Sequence, residues 1–130
     1  HAIVLLPDHL HAIWSLPRGD SRYSLRWQKV KEHFTRAYFK VAEAADNRGA
    51  SRERAQERAV WQRRFWEHTC RDEADVKRCA DYLHWNPVKH GLAARACDYP
   101  WSSFHRFVAL GEYERDWGSL DPCPNWNQPE

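Results

Sequence analysis

Residues 2–16 constrain the fold most strongly, because their pattern is typical of two short strands joined by a tight turn. Residues 2–6 form an apolar run that suits a buried strand, and Pro7-Asp8 is a turn pair. Over residues 9–16 the side chains alternate, and successive side chains of a strand point to opposite faces. The pattern predicts a hairpin whose second strand carries His9 and His11 on one face.

This histidine pair is a candidate metal site. Two imidazoles side by side on a rigid strand can supply two ligands to one metal ion. The chain contains eight histidines among 130 residues, so a chance pair with this spacing is the alternative. The pair identifies a site only if other parts of the chain bring further ligands or a reactive group to it.

Two longer stretches have helical periodicity. Apolar residues recur with a period of 3.6 over residues 24–45, which predicts an amphipathic helix. Asp72 is a suitable N-cap for a second helix, which we expect to end at Asn86 because Pro87 follows. Tyr82 and Asn86 project from one flank of this helix, one turn apart. Its predicted core stripe consists of Val76, Cys79, Ala80 and Leu83.

The remaining segments predict shorter elements and a tail. We expect a charged helix over residues 52–59, a further strand within 61–70 and a short helix at about 103–110. From residue 119 the chain is rich in Pro, Asn and Asp, which is typical of an irregular tail. The length fits one domain over residues 1–118 followed by the tail 119–130. Because the chain enters directly into an apolar strand, we expect an N-terminal segment to be missing.

The charge is unevenly distributed although the net charge is only +2. Residues 18–64 contain thirteen Lys and Arg against six Asp and Glu, whereas residues 65–130 contain seven against eleven. One stripe of the first predicted helix is basic, and further arginines lie between aromatic residues in the segment 61–66. Cationic side chains can contact phosphates, and aromatic side chains can stack on bases. These charges indicate polyanion binding, with an ordinary solvated face as the alternative. The candidate contacts are Arg26, Lys29, Arg36, Lys40, Arg63 and Arg64.

The four cysteines indicate a reducing compartment. Cys70, Cys79, Cys97 and Cys123 form no Cys-x-x-Cys pair and have no zinc-finger spacing, so we expect reduced thiols. The sequence has no secretory signal and no apolar run long enough to span a membrane. We therefore expect a cytoplasmic protein with no membrane partner.

A specific chemistry becomes available if Tyr82 and Asn86 meet the histidine pair. A hard cation such as Mg²⁺ or Mn²⁺ prefers oxygen donors, and Asn86 offers an amide oxygen. The Tyr82 phenol can act as a nucleophile on a phosphodiester, with a covalent 5′-phosphotyrosine as the product. The alternatives are ordinary ones, since a tyrosine beside an apolar stripe commonly packs and an asparagine before proline commonly caps a helix.

Several blocks of the sequence resemble one known family. His9-Leu10-His11 matches the His-hydrophobic-His motif of the HUH single-strand endonucleases. The block from Tyr82 to Leu92, YLHWNPVKHGL, resembles the tyrosine-bearing signature of the REP-associated tyrosine transposases. The flanking segments LPDHLH, WQRRFWEH and YPWSSF agree with the same family, and the resemblance runs from about Ile3 to Trp117.

The resemblance implies an α+β fold, with an antiparallel, ferredoxin-like sheet and helices packed on one face. In such a domain a strand and a helix precede the histidine strand, and these are absent from this sequence. Family members cleave and rejoin single-stranded DNA at palindromic hairpins. By similarity Tyr82 is the nucleophile and His9 and His11 are metal ligands, while Asn86 stands where related insertion-sequence enzymes have a glutamine. Lys89, within the signature block, is a further candidate DNA contact.

Other functions remain as alternatives at this point. A DNA hairpin-binding protein without turnover would have no need of the histidine pair together with the tyrosine. An unrelated zinc hydrolase ranks last, because the sequence offers no obvious third histidine and no placed carboxylate. The proposed partner is single-stranded DNA with hairpin structure, and the sequence leaves monomer and homodimer equally open.

Overall fold

The computed structural model describes residues 1–45, 60–61 and 65–118. The helix expected over 52–59, the arginines Arg63 and Arg64, and the tail 119–130 lie outside the described residues. The chain forms two compact units, one consisting of His1–Ser15 with the chain from Thr69 onward and the other of Leu16–His68.

The first unit begins with the predicted hairpin. Strands β1 (Ala2–Leu5) and β2 (Leu10–Ile13) pair antiparallel, with Val4 opposite His11. The Leu6 N–H donates to the carbonyl of His9 at 2.8 Å and closes the turn. The hairpin is confirmed, but β2 spans Leu10–Ile13 rather than residues 9–16, so His9 lies just before the strand. The strand ends at Ile13 because its partner β1 begins opposite that residue.

The hairpin of this unit is covered by helix α2 (Glu73–Lys89), which follows helix α1 (Tyr23–Ala45) of the second unit in the chain. The side chain of Asp72 accepts from the Asp75 N–H at 2.8 Å, so the predicted N-cap is confirmed. The predicted end at Asn86 is wrong, because the helix continues through Pro87 to Lys89. A proline this close to the C-terminus removes a single helical hydrogen bond, and its fixed φ is itself helical.

The C-terminus of α2 is a Schellman motif. Gly91 takes the left-handed conformation that the motif requires, with φ of 67°. Its N–H donates to the carbonyl of Val88 at 3.0 Å, and the Leu92 N–H donates to the carbonyl of Pro87 at 2.8 Å. Because these bonds satisfy the last carbonyls, the turn that contains Lys89 stays helical.

Helix α2 is buried on more sides than one apolar stripe predicts. Leu83 packs with Val4, Leu6 and Tyr99 in one core cluster. Both flanks of the helix are buried as well, since Tyr82 and His84 on either side of Leu83 are inaccessible. Val76, by contrast, is 42% exposed, so its assignment to the core stripe is wrong. The hairpin and the C-terminal segment both pack on α2.

The C-terminal segment of this unit joins the hairpin. A 3₁₀ helix (Ala96–Asp98) precedes the short helix α3 (Phe104–Ala109), and α3 confirms the helix expected at about 103–110. Between them the Leu5 N–H donates to the carbonyl of Trp101 at 2.9 Å, and the Ser103 N–H donates to that of Ile3 at 2.8 Å. These bonds satisfy backbone groups on the outer edge of β1, where Val4 and Ser102 form an isolated antiparallel bridge beside the two-stranded sheet.

A buried polar network connects α2 to this segment. His84 is fully buried, with Nε2 2.8 Å from Ser103 Oγ and Nδ1 3.4 Å from the Tyr113 hydroxyl. The Tyr113 hydroxyl donates its proton to Asp81 at 2.6 Å. The hydroxyl oxygen can therefore accept a hydrogen bond from Nδ1–H of a neutral His84 ring. Burial lowers the pKa of His84 to about 4, so the ring is neutral at physiological pH.

The second unit contains helix α1 (Tyr23–Ala45), which confirms the helix predicted over 24–45. Asp20 pairs with Arg22 at 3.2 Å and with Arg26 at 2.6 Å just before and within its first turns. These two guanidinium groups lower the pKa of Asp20 well below its usual range.

The strand expected within 61–70 is wrong over its described residues 65–70, which form no regular structure. Phe65 packs on α1, and Trp66 stacks on His68. The ring centroid of Phe65 lies 6.3 Å from that of Trp27, and the Tyr23 hydroxyl donates to Glu67 at 2.7 Å. Side-chain packing on a helix explains why the alternation of this segment is irregular.

The architecture confirms the predicted α+β class, with an antiparallel sheet and a helix packed on it. The described cysteines Cys70, Cys79 and Cys97 are free thiols, as expected, whereas Cys123 lies outside the described residues. Across the described ranges, no helix combines the length and the apolar character needed to cross a membrane.

The neutral, buried state of His84 predicts a pH dependence of stability. Between pH 6.5 and about 4 the unfolded chain binds a proton that the folded chain excludes, so acidification destabilises the fold. The shift corresponds to about 3 kcal/mol. Urea unfolding at several pH values should show this loss, and His84→Gln should flatten the slope of unfolding free energy against pH. The exposed His33→Gln is the matched control, and equal slopes in the two variants would contradict the assignment.

Candidate active site

Four aromatic rings form a continuous row where α2 crosses the hairpin. The ring centroids of His9 and His11 are 5.1 Å apart, and that of His11 lies 5.7 Å from that of Tyr82. At the other end of the row the ring centroid of His90 lies 5.4 Å from that of His9. The structure therefore brings together the three residues that the sequence offered as nucleophile and histidine ligands.

The backbone explains why these rings meet. His9 closes the turn and His11 lies in β2, so the two side chains share one face of the hairpin. Helix α2 packs on both strands, and Tyr82 lies on the flank of α2 that meets His11. Tyr82 is 6% exposed, so protein contacts fix the position of its ring.

Asn86 is the buried amide of this helix. It lies one turn after Tyr82 and is 0% exposed, and neither Oδ1 nor Nδ2 has a hydrogen-bond partner within the described part of the chain. A buried amide left unsatisfied costs about 1–3 kcal/mol. A cation bound through Oδ1 would recover part of that cost, so this orphaned amide fits the metal-ligand role predicted for it.

The orientation of His9 also suits a metal ligand. Its Nδ1 lies 2.7 Å from Asp8 Oδ1, a geometry that places the ring proton on Nδ1 and leaves the Nε2 lone pair for a ligand bond. The same hydrogen bond lowers the pKa of Asp8. With two imidazoles and one amide oxygen, the donor set is open and suits a hard cation such as Mg²⁺ or Mn²⁺ better than a closed structural zinc site.

Lys89 contacts the predicted nucleophile directly. Its Nζ donates to the Tyr82 hydroxyl at 3.2 Å and lies 5.3 Å from the centroid of the ring. The sequence offered Lys89 only as a DNA contact. A spacing of seven residues places Lys89 and Tyr82 on one face of a helix. This contact was not predicted, because the expected helix end at Asn86 left Lys89 outside α2.

The other predicted DNA contacts belong to the second unit or lie outside the described residues. On α1, Lys29, Arg36 and Lys40 are exposed, while Arg26 is paired with Asp20. Asp8 and His90 were not among the predicted site residues. Their sequence signals are that Asp8 adjoins the histidine pair and that His90 lies within the signature block.

Comparison with known proteins identifies the family. No protein-family model matches the chain. A Haemophilus influenzae protein named as a REP-associated tyrosine transposase is 43% identical over 117 residues, which cover 90% of this chain and 65% of the relative. An Escherichia coli REP-associated tyrosine transposase is 41% identical over 117 residues, covering 90% of this chain and 61% of the relative.

A solved structure agrees with these relatives. It is a REP-associated tyrosine transposase bound to a REP hairpin, 38% identical, with a TM-score of 0.77 over 99% of this chain and 67% of that chain. This chain belongs to the REP-associated tyrosine transposases. The family resemblance stated from the sequence is thereby confirmed. The chain spans 65% and 61% of the length of the two curated REP-associated tyrosine transposases.

The orphaned amide of Asn86 predicts opposite effects on stability and on metal binding. Replacing it with leucine, which has a similar volume, removes an unsatisfied buried polar group, so Asn86→Leu should leave the free energy of unfolding in EDTA unchanged or raise it. The same variant should weaken Mn²⁺ binding, measured by calorimetry, at least about tenfold. Asn86→Asp keeps an oxygen donor and serves as the control that retains binding. A destabilised Asn86→Leu with unchanged Mn²⁺ affinity would mean that the amide is a packing group.

Proposed function

We propose that this chain carries the catalytic site of a metal-dependent DNA transposase that cleaves and rejoins single-stranded DNA at hairpin elements. The observation that carries the proposal is the contact between the buried Tyr82 ring and His11, whose ring in turn contacts His9. The unsatisfied amide of Asn86 lies one helical turn after Tyr82 and supports the proposal. A nucleophile beside two imidazoles, with an amide oxygen one turn away on the same helix, offers the groups that phosphodiester cleavage needs.

The relatives support the choice of substrate. One solved relative is a REP-associated tyrosine transposase bound to a REP hairpin, and two curated relatives carry the same family name. We therefore propose single-stranded DNA with hairpin structure as the partner of this chain. We place its activity in the cytoplasm, because the free thiols of Cys70, Cys79 and Cys97 suit a reducing compartment.

His9, His11 and Asn86 would hold Mg²⁺ or Mn²⁺. When bound, the ion would neutralise charge that grows on the phosphodiester oxygens. The Tyr82 oxygen forms a bond to phosphorus as its phenol proton passes to solvent. The bond from phosphorus to the 3′ oxygen breaks, and the 3′ oxygen takes a proton from solvent. The products are a free 3′-hydroxyl strand and a 5′-phosphate joined to Tyr82. A 3′-hydroxyl that later attacks this phosphotyrosine restores the DNA bond and releases the tyrosine.

Basic residues of α1 are the proposed contacts to the DNA backbone. Lys29, Arg36 and Lys40 are exposed, and their spacing places them on one side of the helix. Arg26 forms an ion pair with Asp20, so we assign it a smaller part of the DNA-binding energy. Arg63, Arg64 and Lys89 complete the proposed set. Contacts of this kind act on affinity and on its salt dependence more than on sequence choice.

A label placed at either end of the DNA tests the covalent step. With Mn²⁺ and a hairpin substrate labelled at its 3′ end, the protein should acquire the label and run as an adduct on a denaturing gel. A 5′ label should instead be released on a shorter strand, because the tyrosine retains the 5′-phosphate. Tyr82→Phe should abolish the adduct, at least about 10³-fold. Tyr38→Phe, an exposed tyrosine of α1, should leave the adduct intact.

Other outcomes of the same gel would contradict the proposal. An adduct that persists in Tyr82→Phe assigns the nucleophile to another residue. Tight hairpin binding with no cleavage under Mg²⁺ or Mn²⁺ favours a DNA hairpin-binding protein without turnover.

A further inference from the structure

We propose that Lys89 is a further catalytic residue, whose ammonium group compensates the negative charge on the Tyr82 oxygen as the tyrosine attacks and as it leaves. The inference rests on the proposed function, since it assigns a role within that same site. It replaces the simpler role of Lys89 as one of several DNA contacts.

Two contacts place the ammonium group on the reacting atom. Lys89 Nζ donates to the Tyr82 hydroxyl at 3.2 Å and also lies 5.3 Å from the centroid of the same ring. Tyr82 as a whole is 6% exposed, and Lys89 provides a charged donor to its hydroxyl. A charge-assisted hydrogen bond strengthens as its acceptor gains negative charge, which is the requirement for transition-state stabilisation.

The helix explains how Lys89 reaches Tyr82. A seven-residue separation rotates by 700°, so the two residues lie within about 20° of each other on one face, about 10 Å apart along the axis. Side chains of a helix point toward its N-terminus, so the long lysine stem extends back to the tyrosine. This arrangement requires that α2 continue through Pro87, and the Schellman bonds at Gly91 hold its last turn.

The role applies to both directions of the reaction. In cleavage the Tyr82 oxygen passes its proton to solvent and attacks phosphorus, the bond between phosphorus and the 3′ oxygen breaks, and the 3′ oxygen takes a proton from solvent. In rejoining, a 3′-hydroxyl attacks the phosphotyrosine, and the bond between phosphorus and the Tyr82 oxygen breaks. The phenol oxygen carries negative charge in each case, and the ammonium group stays protonated throughout. A contact to a DNA phosphate would act on binding and leave both steps unchanged.

Single-turnover kinetics separate these roles. At saturating hairpin DNA, Lys89→Met should slow adduct formation about 10-fold to 100-fold, with the Kd for the hairpin changed by less than about twofold. Lys89→Arg, which keeps a charged donor, should recover part of the rate. Lys77→Met removes a positive charge from the same helix, where Lys77 pairs with Asp81 at 3.2 Å, and should leave the rate constant unchanged. A Kd that rises with no change in the saturated rate would overturn the proposal.

A measurement without DNA or metal tests the contact itself. In protein labelled with ¹³Cζ-tyrosine, the Tyr82 signal is assigned by its loss in Tyr82→Phe. That signal should shift in Lys89→Met and stay in place in Lys77→Met, because only the first variant removes the donor to the phenol. An unchanged Tyr82 signal in Lys89→Met would overturn the proposal. Failure of the wild-type protein to form any adduct would instead contradict the proposed function, while the signal shift would still report the contact.

Discussion

The packing of helix α2 against the hairpin is the interaction on which the rest of this structure depends. Three consecutive residues of α2 contact three different parts of the fold. Leu83 packs into the core formed by β1, Tyr82 meets His11 of β2, and His84 lies among the aromatic rings of the C-terminal segment, with its ring centroid 4.6 Å from that of Phe107. A rotation of the helix by one residue would exchange these partners. The core contact of Leu83 therefore also fixes where the candidate nucleophile lies.

His84 and Asn86 are both buried in α2 but differ in whether their polar atoms have hydrogen-bond partners. His84 is fully buried with partners on both ring nitrogens, so its network contributes to the fold. Asn86 is equally buried, yet its amide has no hydrogen-bond partner among the described residues. Proteins satisfy nearly all buried polar groups, and exceptions are expected where a ligand binds. The cost at Asn86 is the physical basis for proposing it as a metal ligand.

Local patterns predicted much of this architecture. The alternation after Pro7-Asp8 predicted the hairpin, and periodicity predicted α1, because both signals depend on short-range geometry. The end of α2 was missed because proline was treated as a stop, whereas the bonds at Gly91 that extend the helix involve residues beyond it. The contact between Lys89 and Tyr82 was missed for the same reason, because it requires the helix to continue to Lys89. Tyr82 itself was singled out by its signature block, since helical geometry alone gave only a packing residue.

The most direct test of the shared site is a crystal structure of the protein soaked in Mn²⁺, with anomalous scattering used to locate the ion. The account predicts one strong peak within about 2.0–2.4 Å of a nitrogen of His9, a nitrogen of His11 and the amide oxygen of Asn86, on the side of the hairpin that faces Tyr82. A peak bound elsewhere, or a site that includes the histidines while Asn86 stays uncoordinated and Tyr82 points away, would contradict it.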